Sequence, residues 1–404
     1  MTDGRAWHEH LEPGEPLSDS GGSTTEYDCV LIGAGPAGLA TAAMLQRRGV
    51  RAVVLERSDV VGGKFRGTYD RFRLNTYAGF SHAPGRRFRK GEGGRWPARD
   101  EVVQFYEDYA RERRLEIRLQ TEACRVEQDK GSWEVLTNAA PISARAVVIA
   151  TARDAVPFIP PWAGTDSYAG RLLHSSEYRN ARPFTQSDVL VVGAGNSAMD
   201  IAVDLAEGGA GRVALAVRTV PNLVVKALLG VPFDVFSVIG ARTPTRVLDA
   251  MSKAQRRLLL GDLSPFGLPT PTDGPVERLR RTGMVPMIDT GAFAKAVKRG
   301  AISVVAGVAD LDEQGAVLVD GTKRAVDCVI AATGYRPDLA SLVGHLGVLD
   351  QEGYPVIDGP RTLESLPGLR FVGFSEPPTG ALRQIRIDSK RVARGLARSL
   401  RARS

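Results

Sequence analysis

The sequence predicts an α/β fold of two Rossmann-like dinucleotide-binding domains, with the second domain inserted into the first. A buried-strand pattern, a glycine-rich turn and a helical segment follow one another twice, at residues 27–48 and 187–206. After each copy, another apolar strand ends in a turn of small residues, at 146–152 and 326–334, which indicates a crossover between domains. With 404 residues, the chain is long enough for two domains.

The first glycine-rich turn reads Gly33-Ala-Gly-Pro-Ala-Gly38 and follows the apolar run 27–32. In a GxGxxG turn the first glycine permits the tight turn, the second lets the backbone approach a pyrophosphate, and the third allows close packing of helix on strand. The next strand, 51–55, ends in Glu56, where an acid would accept hydrogen bonds from ribose hydroxyls. The residues predicted to hold this dinucleotide are Gly33, Gly35, Pro36, Ala37, Gly38 and Glu56.

The second turn reads Gly193-Ala-Gly-Asn-Ser-Ala198, and its following strand, 212–217, ends in Arg218 rather than in an acid. A cation at this position can pair with a 2′-phosphate, which Glu56 would repel. The first domain is therefore expected to prefer FAD or NAD, and the second NADP. The alternative for Arg218 is an ordinary surface arginine. The residues predicted to hold NADP are Gly193, Gly195, Asn196, Ser197, Arg218 and Thr219.

These patterns suggest a division of the chain into domains. Residues 1–26 are polar and rich in Gly, Pro, Ser and Asp, as expected of a disordered tail. The first domain is predicted to comprise 27–155 and 336–404, and the second 156–335. Within the second, 221–270 is predicted to be a helical insertion that acts as a substrate lid, a membrane-surface element or simple helical packing.

Composition narrows the partners and the location. The net charge is +7 and arginines crowd toward the C-terminus, but no nucleic-acid motif accompanies them, so a solvated helix face is favoured over a patch for an acidic partner. The weakly charged run 29–45 is too short to span a bilayer, so no stable membrane insertion is expected. The three cysteines form no CxxC pair, which favours a reducing compartment, the cytoplasm. No metal-ligand spacing and no Ser/His/Asp triad is evident.

The most specific motif lies between the two glycine turns. The segment Tyr168-Ala-Gly-Arg-Leu-Leu-His-Ser-Ser-Glu-Tyr178 resembles the FxGxxxHxxxY fingerprint of the class B flavin-containing monooxygenases, with Tyr168 in place of Phe. An isolated His174 would more often be a structural histidine, but the matching Gly170 and Tyr178 make it a family mark. The resemblance covers residues 27–400 and points to the compact group similar to plant indole-3-pyruvate monooxygenases and their bacterial relatives.

Other segments carry the same resemblance. Gly62-Gly-Lys-Phe65 resembles the family's turn near the flavin, and residues 68–71 and 73–75 resemble the segment that reaches the active site. Residues 286–291 and 332–335 also match the compact group. Asn75 occupies the position of the family asparagine that faces the flavin, with turn capping as the alternative role.

The segment 379–382 opens an amphipathic helix that is expected to reach Ala397, and its N–H groups would face the flavin ring. A terminal packing helix is the alternative. The resemblance thus implies Asn75 and His174 as catalytic residues. It also implies further cofactor contacts at Gly63, Lys64, Phe65, Asn75, Thr151, Thr333, Gly334, Gly380, Ala381 and Leu382.

Three departures from the family pattern stand out. Ala152 replaces the glycine of the first ATG turn, which weakens the assignment of a domain crossover there. Phe65 replaces the usual Trp beside the flavin. Tyr178 and Arg179 differ from the larger Baeyer–Villiger enzymes, which lowers the expectation of ordinary ketone oxygenation.

The resemblance implies a glutathione-reductase-like fold and a reaction. NADPH would reduce FAD, O2 would form a C4a-(hydro)peroxyflavin, and one oxygen atom would enter a small organic substrate. The reaction would be N- or S-oxygenation, or a Baeyer–Villiger-like oxidation or oxidative decarboxylation of a carbonyl compound. A flavin-dependent NADPH oxidase or reductase and a non-catalytic NADP-sensing protein are the alternatives. The predicted partners are the substrate and O2, and the oligomeric state is left open, with a homodimer as one option.

Overall fold

The computed structural model describes residues 27–88, 95–129, 131–228, 231–232, 235, 243–283, 287–375, 377 and 379–402. The expected tail, residues 1–26, lies outside this range, as does Pro286 of the 286–291 match.

A five-stranded parallel sheet organises the first unit. Its strands are β1 (Cys29–Ile32), β2 (Ala52–Leu55), β3 (Ile117–Arg118), β7 (Val147–Ile149) and β22 (Leu369–Phe371), in the spatial order β22-β7-β1-β2-β3. Apolar side chains cover both faces, because Leu31 belongs to the core on one face while Val30 and Ile32 belong to the core on the other. This two-sided burial explains why β1 reads as a continuous apolar run.

A second five-stranded parallel sheet organises the other unit. Its strands are β9 (Arg171–His174), β10 (Asp188–Val192), β11 (Arg212–Val217), β16 (Ser303–Ala306) and β20 (Cys328–Ala331), in the order β16-β11-β10-β20-β9. The chain leaves the first sheet after β7, builds the second sheet, and returns to add β22 to the first. The second dinucleotide-binding unit is therefore inserted into the first, as the sequence predicts.

Two short strands mark the crossings between the units. Strand β8 (Val156–Pro157) pairs antiparallel with β21 (Tyr335–Arg336), so the outgoing and returning chains are hydrogen-bonded to each other. Ala152 precedes this pair and has a φ of +71°, the left-handed region that the family's glycine would adopt. The alanine thus keeps the backbone of the turn, at a cost of about 1–2 kcal/mol.

The remaining strands form smaller sheets of two or three strands. They are β4 (Ala123–Asp129), β5 (Ser132–Thr137) and β6 (Ile142–Ala144); β17 (Val308–Leu311), β18 (Gly315–Leu318) and β19 (Lys323–Ala325); β12 (Leu223–Val225) with β15 (Met287–Asp289); and β13 (Ala227–Leu228) with β14 (Val231–Pro232). The described part of 221–270 thus begins with strands, whereas the sequence suggested helix throughout. Its β12 is held in place by parallel pairing with β15, a partner distant in sequence.

The helices are α1 (Pro36–Gln46), α2 (Gly63–Arg66), α3 (Arg99–Glu112), α4 (Asn196–Glu207), α5 (Thr245–Leu259), α6 (Pro275–Thr282), α7 (Ala292–Lys298), α8 (Ala340–Val343) and α9 (Ala381–Ala402). Helix α9 packs on α1 and continues past Ala397, where the sequence pattern was expected to end. Leu400 explains the extra turn, since its side chain is buried in the core with Leu396. Among the described helices, none combines the length and apolar content that crossing a bilayer requires.

Candidate active site

A cavity of about 1490 Å³ is lined by residues of both parallel-sheet units. Pockets for a single small ligand usually measure about 300–1,000 Å³. The cavity lies against the glycine-rich turns that follow β1 and β10, the place where open α/β sheets bind nucleotides. Apart from Gly38 and His174, every site residue predicted from the sequence lines it.

The first glycine turn has the geometry of a phosphate cradle. Gly33 has a φ of +106°, and a Cβ there would lie 2.7 Å from the carbonyl oxygen of Ala150. A Cβ on Gly38 would lie 1.9 Å from the carbonyl oxygen of Gly33, so this glycine serves the packing of α1 on the turn. At Gly35, by contrast, a Cβ would meet nothing within 4 Å. The empty space at the start of α1 is where a pyrophosphate would approach the backbone.

The second turn repeats this arrangement. Gly193 has a φ of +145°, and its Cβ would lie 2.3 Å from the carbonyl oxygen of Ala332. Ala198 takes the third position, and its methyl group fits against the turn. A Cβ on Gly195 would meet nothing within 4 Å. The start of α4 therefore offers a second cradle, bordered by Asn196 and Ser197.

The residues at the ends of β2 and β11 differ in charge. Glu56 is oriented by its own turn, because its carboxylate accepts hydrogen bonds from the N–H of Ala34 at 2.7 Å and from the hydroxyl of Ser58 at 2.8 Å. The N–H of Ser58 also donates to Oε1, at 3.0 Å, so Oε2 is the oxygen that keeps a lone pair for a further donor. Arg218 is exposed, beside Thr219, and has no ion-pair partner among the described residues. An acid thus borders the first cradle, and an available cation borders the second.

Other groups in the lining also fit a flavin nucleotide. The hydroxyl oxygen of Thr151, after β7, is buried and has no hydrogen-bond partner within the described part of the chain. Lys64 lies 2.9 Å from Asp154 and over the ring of Tyr335. Phe65 lines the cavity and stacks on Tyr106 with ring centroids 6.4 Å apart, so a phenyl ring fills the place of the family's Trp. The open cradle at Gly35 and the unsatisfied hydroxyl both suit a bound dinucleotide.

The structure brings Asn75 next to the start of α9. Asn75 and Thr76 line the cavity, and a Cβ on Gly380 would lie 2.8 Å from the hydroxyl oxygen of Thr76. Gly380 has a φ of +91°, which permits the sharp entry into the helix. The lining continues through Ala381 and Leu382, the first two residues of α9. Asn75 and the helix start, which are far apart in sequence, therefore share one wall.

His174 lies outside the cavity lining and is buried at the end of β9. Its Nδ1 accepts a hydrogen bond from the N–H of Ser176 at 3.1 Å, and its Nε2 donates to the carbonyl oxygen of Gly334 at 3.0 Å. Burial lowers the pKa of the imidazole, so the neutral ring is favoured. His174 joins the end of β9 to the turn of Thr333 and Gly334, and this placement favours a structural role over a catalytic one.

Sequence reasoning missed the apolar part of the lining. Val224 on β12 faces the cavity while its neighbours Leu223 and Val225 face the core, as strand alternation requires. Val276 and Leu279 of α6 also line the cavity. The turn and motif signals that identify the cradles say nothing about these positions, because ordinary apolar residues carry no chemical signature.

Helix α5, from the predicted insertion, supports α6 from outside. It turns polar side chains inward: Asp249, Ser252 and Arg256 are buried, while Val247, Met251 and Leu258 are exposed. Asp249 explains the orientation, because its carboxylate accepts the N–H groups of Val276 at 2.8 Å and Glu277 at 3.2 Å at the start of α6. The lid, membrane-surface and packing interpretations of this segment stay predictions.

Comparison with known proteins agrees with this geometry. The family described as pyridine nucleotide-disulphide oxidoreductase matches residues 30–224. The indole-3-pyruvate monooxygenase YUCCA1 of Oryza sativa subsp. japonica is 34% identical over 353 residues, which cover 86% of each chain. A mutant flavin monooxygenase from Stenotrophomonas maltophilia superposes with a TM-score of 0.68 at 25% identity, over 93% of this chain and 98% of that one.

A crystal structure of OTEMO in complex with FAD and NADP superposes with a TM-score of 0.69 over 93% of this chain and 84% of that one. At 17% identity it supports the fold alone. The rice relative shows the family, and the expected resemblance, fold class and cofactors are confirmed. The chain belongs to the flavin-dependent monooxygenases that include the plant indole-3-pyruvate monooxygenases, and it is an oxidoreductase that uses FAD, NADPH and O2 to insert an oxygen atom into a small substrate.

Proposed function

We propose that the substrate is a small, largely apolar 2-oxo acid, which is oxidised with loss of its carboxyl group. The observation that carries this proposal is the apolar wall of Val224, Val276 and Leu279, which lines the same cavity as Asn75 and both cradles. The rice relative's name, indole-3-pyruvate monooxygenase, supports a substrate of this class. The balanced reaction is R–CO–COOH + O2 + NADPH + H⁺ → R–COOH + CO2 + H2O + NADP⁺.

Each cradle is proposed to seat one dinucleotide. The open N–H groups around Gly35 would hold the FAD diphosphate at the start of α1, and Glu56 would accept hydrogen bonds from its ribose. Gly195, Asn196 and Ser197 would hold the NADP diphosphate in the same way. Arg218 would bind the 2′-phosphate through charge-assisted hydrogen bonds. FAD, when bound, supplies the transfer of electrons from NADPH and the activation of O2.

The remaining roles concern the wall around Asn75. Its amide is proposed to donate a hydrogen bond to the reacting oxygen or to the substrate. The N–H groups at Gly380–Leu382 would stabilise negative charge at the neighbouring edge of the flavin, as the donors of an oxyanion hole do. The apolar side chains of α6 and β12 would exclude water, which otherwise diverts activated oxygen into hydrogen peroxide.

The substrate class can be tested with the purified, FAD-loaded enzyme. Indole-3-pyruvate is expected to raise the ratio of product formed to NADPH consumed and to suppress peroxide release. With ¹⁸O2, one labelled atom should appear in the product acid. An aryl methyl sulfide serves as the comparison substrate. Tight coupling with the sulfide, together with peroxide release alone from several 2-oxo acids, would assign the enzyme to S-oxygenation instead.

Substitution of Asn75 tests the proposed wall. Asn75→Ala is expected to retain FAD and the rate of flavin reduction but to release several-fold more peroxide per NADPH, since an oxyanion-type donor contributes about 3 kcal/mol. Peroxide and product are measured under steady turnover. Asn138→Ala, at an exposed residue outside the cavity, is the control. An unchanged coupling ratio in the Asn75 variant would remove this residue from the reaction.

We also propose that the protein works in a reducing compartment, the cytoplasm, where its thiols stay free. Cys29 and Cys328 are buried and Cys124 is exposed, and none of the three forms a disulfide. A homodimer stays one option for the oligomeric state, to be measured by light scattering.

A further inference from the structure

Tyr69 joins the two nucleotide-binding units at the wall of the cavity. It belongs to the segment after α2 of the flavin unit, its side chain is 5% exposed, and it lines the cavity. The ring is held by edge contacts with Phe72 at 5.8 Å and Tyr178 at 6.4 Å between centroids. The position of the phenol is thus fixed by packing from both units.

The hydroxyl of Tyr69 bonds to the helix that starts at the NADP cradle. It donates to a carboxylate oxygen of Asp200, at the start of the second turn of α4, at 2.7 Å. Ser197, three residues before Asp200 at the start of α4, lines the same cavity as Tyr69. The hydroxyl therefore ties the flavin unit to the helix that begins at the NADP cradle.

Other contacts between this segment and α4 are more exposed. Arg71 forms ion pairs with Asp204, at 3.9 Å, and with Glu207, further along the helix. The Arg71 side chain is 37% exposed, and ion pairs at such sites contribute about 0–1 kcal/mol. The buried phenol is the contact best placed to fix the start of α4, because it is rigid, shielded from water and adjacent to the cradle.

We propose that Tyr69 is a positioning residue: through its hydrogen bond to Asp200 on α4, it sets the position of the NADP cradle relative to the flavin side of the cavity. This inference rests on the proposed seating of NADP at the start of α4. Hydride transfer requires the two rings in contact at a defined distance, and a misplacement of about 1 Å can slow a reaction ~100-fold. The bridge would therefore act on the rate of flavin reduction rather than on nucleotide affinity.

The charge of Asp200 makes the bridge sensitive to pH. Burial raises the pKa of this carboxyl, and Asp289 raises it further, whereas the hydrogen bond from Tyr69 and the charges of Lys226 and Arg71 lower it. The charged carboxylate accepts a stronger hydrogen bond from the phenol than the neutral carboxyl group does. As the pH falls through the raised pKa, Asp200 gains a proton and the bridge is weakened, so the rate of flavin reduction is expected to fall toward acid.

The test compares hydroxyl deletions at two buried tyrosines that bond to the same helix. Tyr69→Phe removes the bridge, and Tyr178→Phe removes the matched bond to Asp204, which is 2.6 Å long and lies outside the cavity lining. At saturating NADPH without oxygen, Tyr69→Phe is expected to reduce its flavin at least about tenfold more slowly, in line with a sub-ångström displacement. Its FAD content and its dissociation constant for NADP⁺ should stay within about threefold of the parent, as should all values for the control.

Two variants of Asp200 and a measurement without turnover separate positioning from general stability. Asp200→Asn mimics the protonated acid, so it should reduce its flavin slowly at every pH and lose the acid limb, whereas Asp200→Ala should resemble Tyr69→Phe. Binding of NADP⁺ to the oxidised enzyme should shift the flavin spectrum in the parent and the control, but less in Tyr69→Phe. If Tyr69→Phe keeps the parental rate of flavin reduction and the parental spectral shift, the positioning role of Tyr69 is overturned. Equal losses in the Tyr178→Phe control would overturn it as well. Failure of the parent itself to bind NADP⁺ would instead refute the proposed cradle.

Discussion

Alanine at Gly195 is expected to abolish tight NADP(H) binding while the protein stays folded and keeps its FAD. The backbone at Gly195 is extended, with φ −107° and ψ 177°, so alanine adopts it without strain. The added Cβ would meet no protein atom within 4 Å and would enter only the space proposed for the diphosphate. Overpacking a close contact costs about 1–3 kcal/mol or more, so affinity should fall ~100-fold.

The same change at Gly35 should affect the other cofactor. Gly35 is also extended, with φ −84° and ψ −175°, and its Cβ would again meet only open space. Gly35→Ala is expected to give a folded protein that is purified without its yellow colour and takes up FAD poorly. Absorbance and FAD titration measure the loss of FAD in Gly35→Ala. Titration with NADP⁺ measures the loss of nucleotide binding in Gly195→Ala.

Control glycines make this pair of variants decisive. Gly395→Ala places a methyl group in open space on α9, away from the cavity, and should change neither cofactor. Gly38→Ala is expected to prevent folding, because its Cβ would lie 1.9 Å from a backbone oxygen. Normal affinity for both nucleotides in Gly35→Ala and Gly195→Ala would show that neither turn seats a diphosphate.

Removal of the Arg218 side chain is expected to erase the preference for NADPH over NADH. A hydrogen bond to a charged group contributes about 1.5–3 kcal/mol, so Arg218→Ala should weaken NADPH binding ~10- to 100-fold. NADH lacks the 2′-phosphate, so its affinity should change little. The comparison requires dissociation constants for both nucleotides. NADPH binding should also depend more steeply on salt in the parent than in Arg218→Ala, which would identify the charge of Arg218 as the cause.

Arg212 provides the matched control, since it lies at the other end of the same strand. It is exposed, pairs with Asp188 and lies outside the cavity lining. Arg212→Ala should therefore leave both affinities unchanged. Equal losses of NADPH and NADH in Arg218→Ala would mean that this arginine holds the fold or the diphosphate, and the 2′-phosphate would need another partner.

Much of the site could be predicted because its signals are local. Glycine spacing, the flanking apolar strands and the sign of the charge at Glu56 and Arg218 all act within one β-α-β unit, so the sequence shows them directly. His174 is a counterexample. The fingerprint marks its position, but only the hydrogen bond to Gly334, which lies on the returning crossover, shows that the ring lies behind the cavity lining and supports a turn of it.

Local patterns in the sequence predicted two nucleotide folds, their order, and FAD or NAD for the first and NADP for the second, because strand, turn and helix signals depend on neighbours in the chain. The tertiary structure alone decided which distant groups share a wall. Tyr69 meets Asp200, and Thr76 meets Gly380, across separations that no local pattern encodes. These contacts depend on how two packed sheets are placed against each other, and that placement is set by the burial of many ordinary apolar side chains.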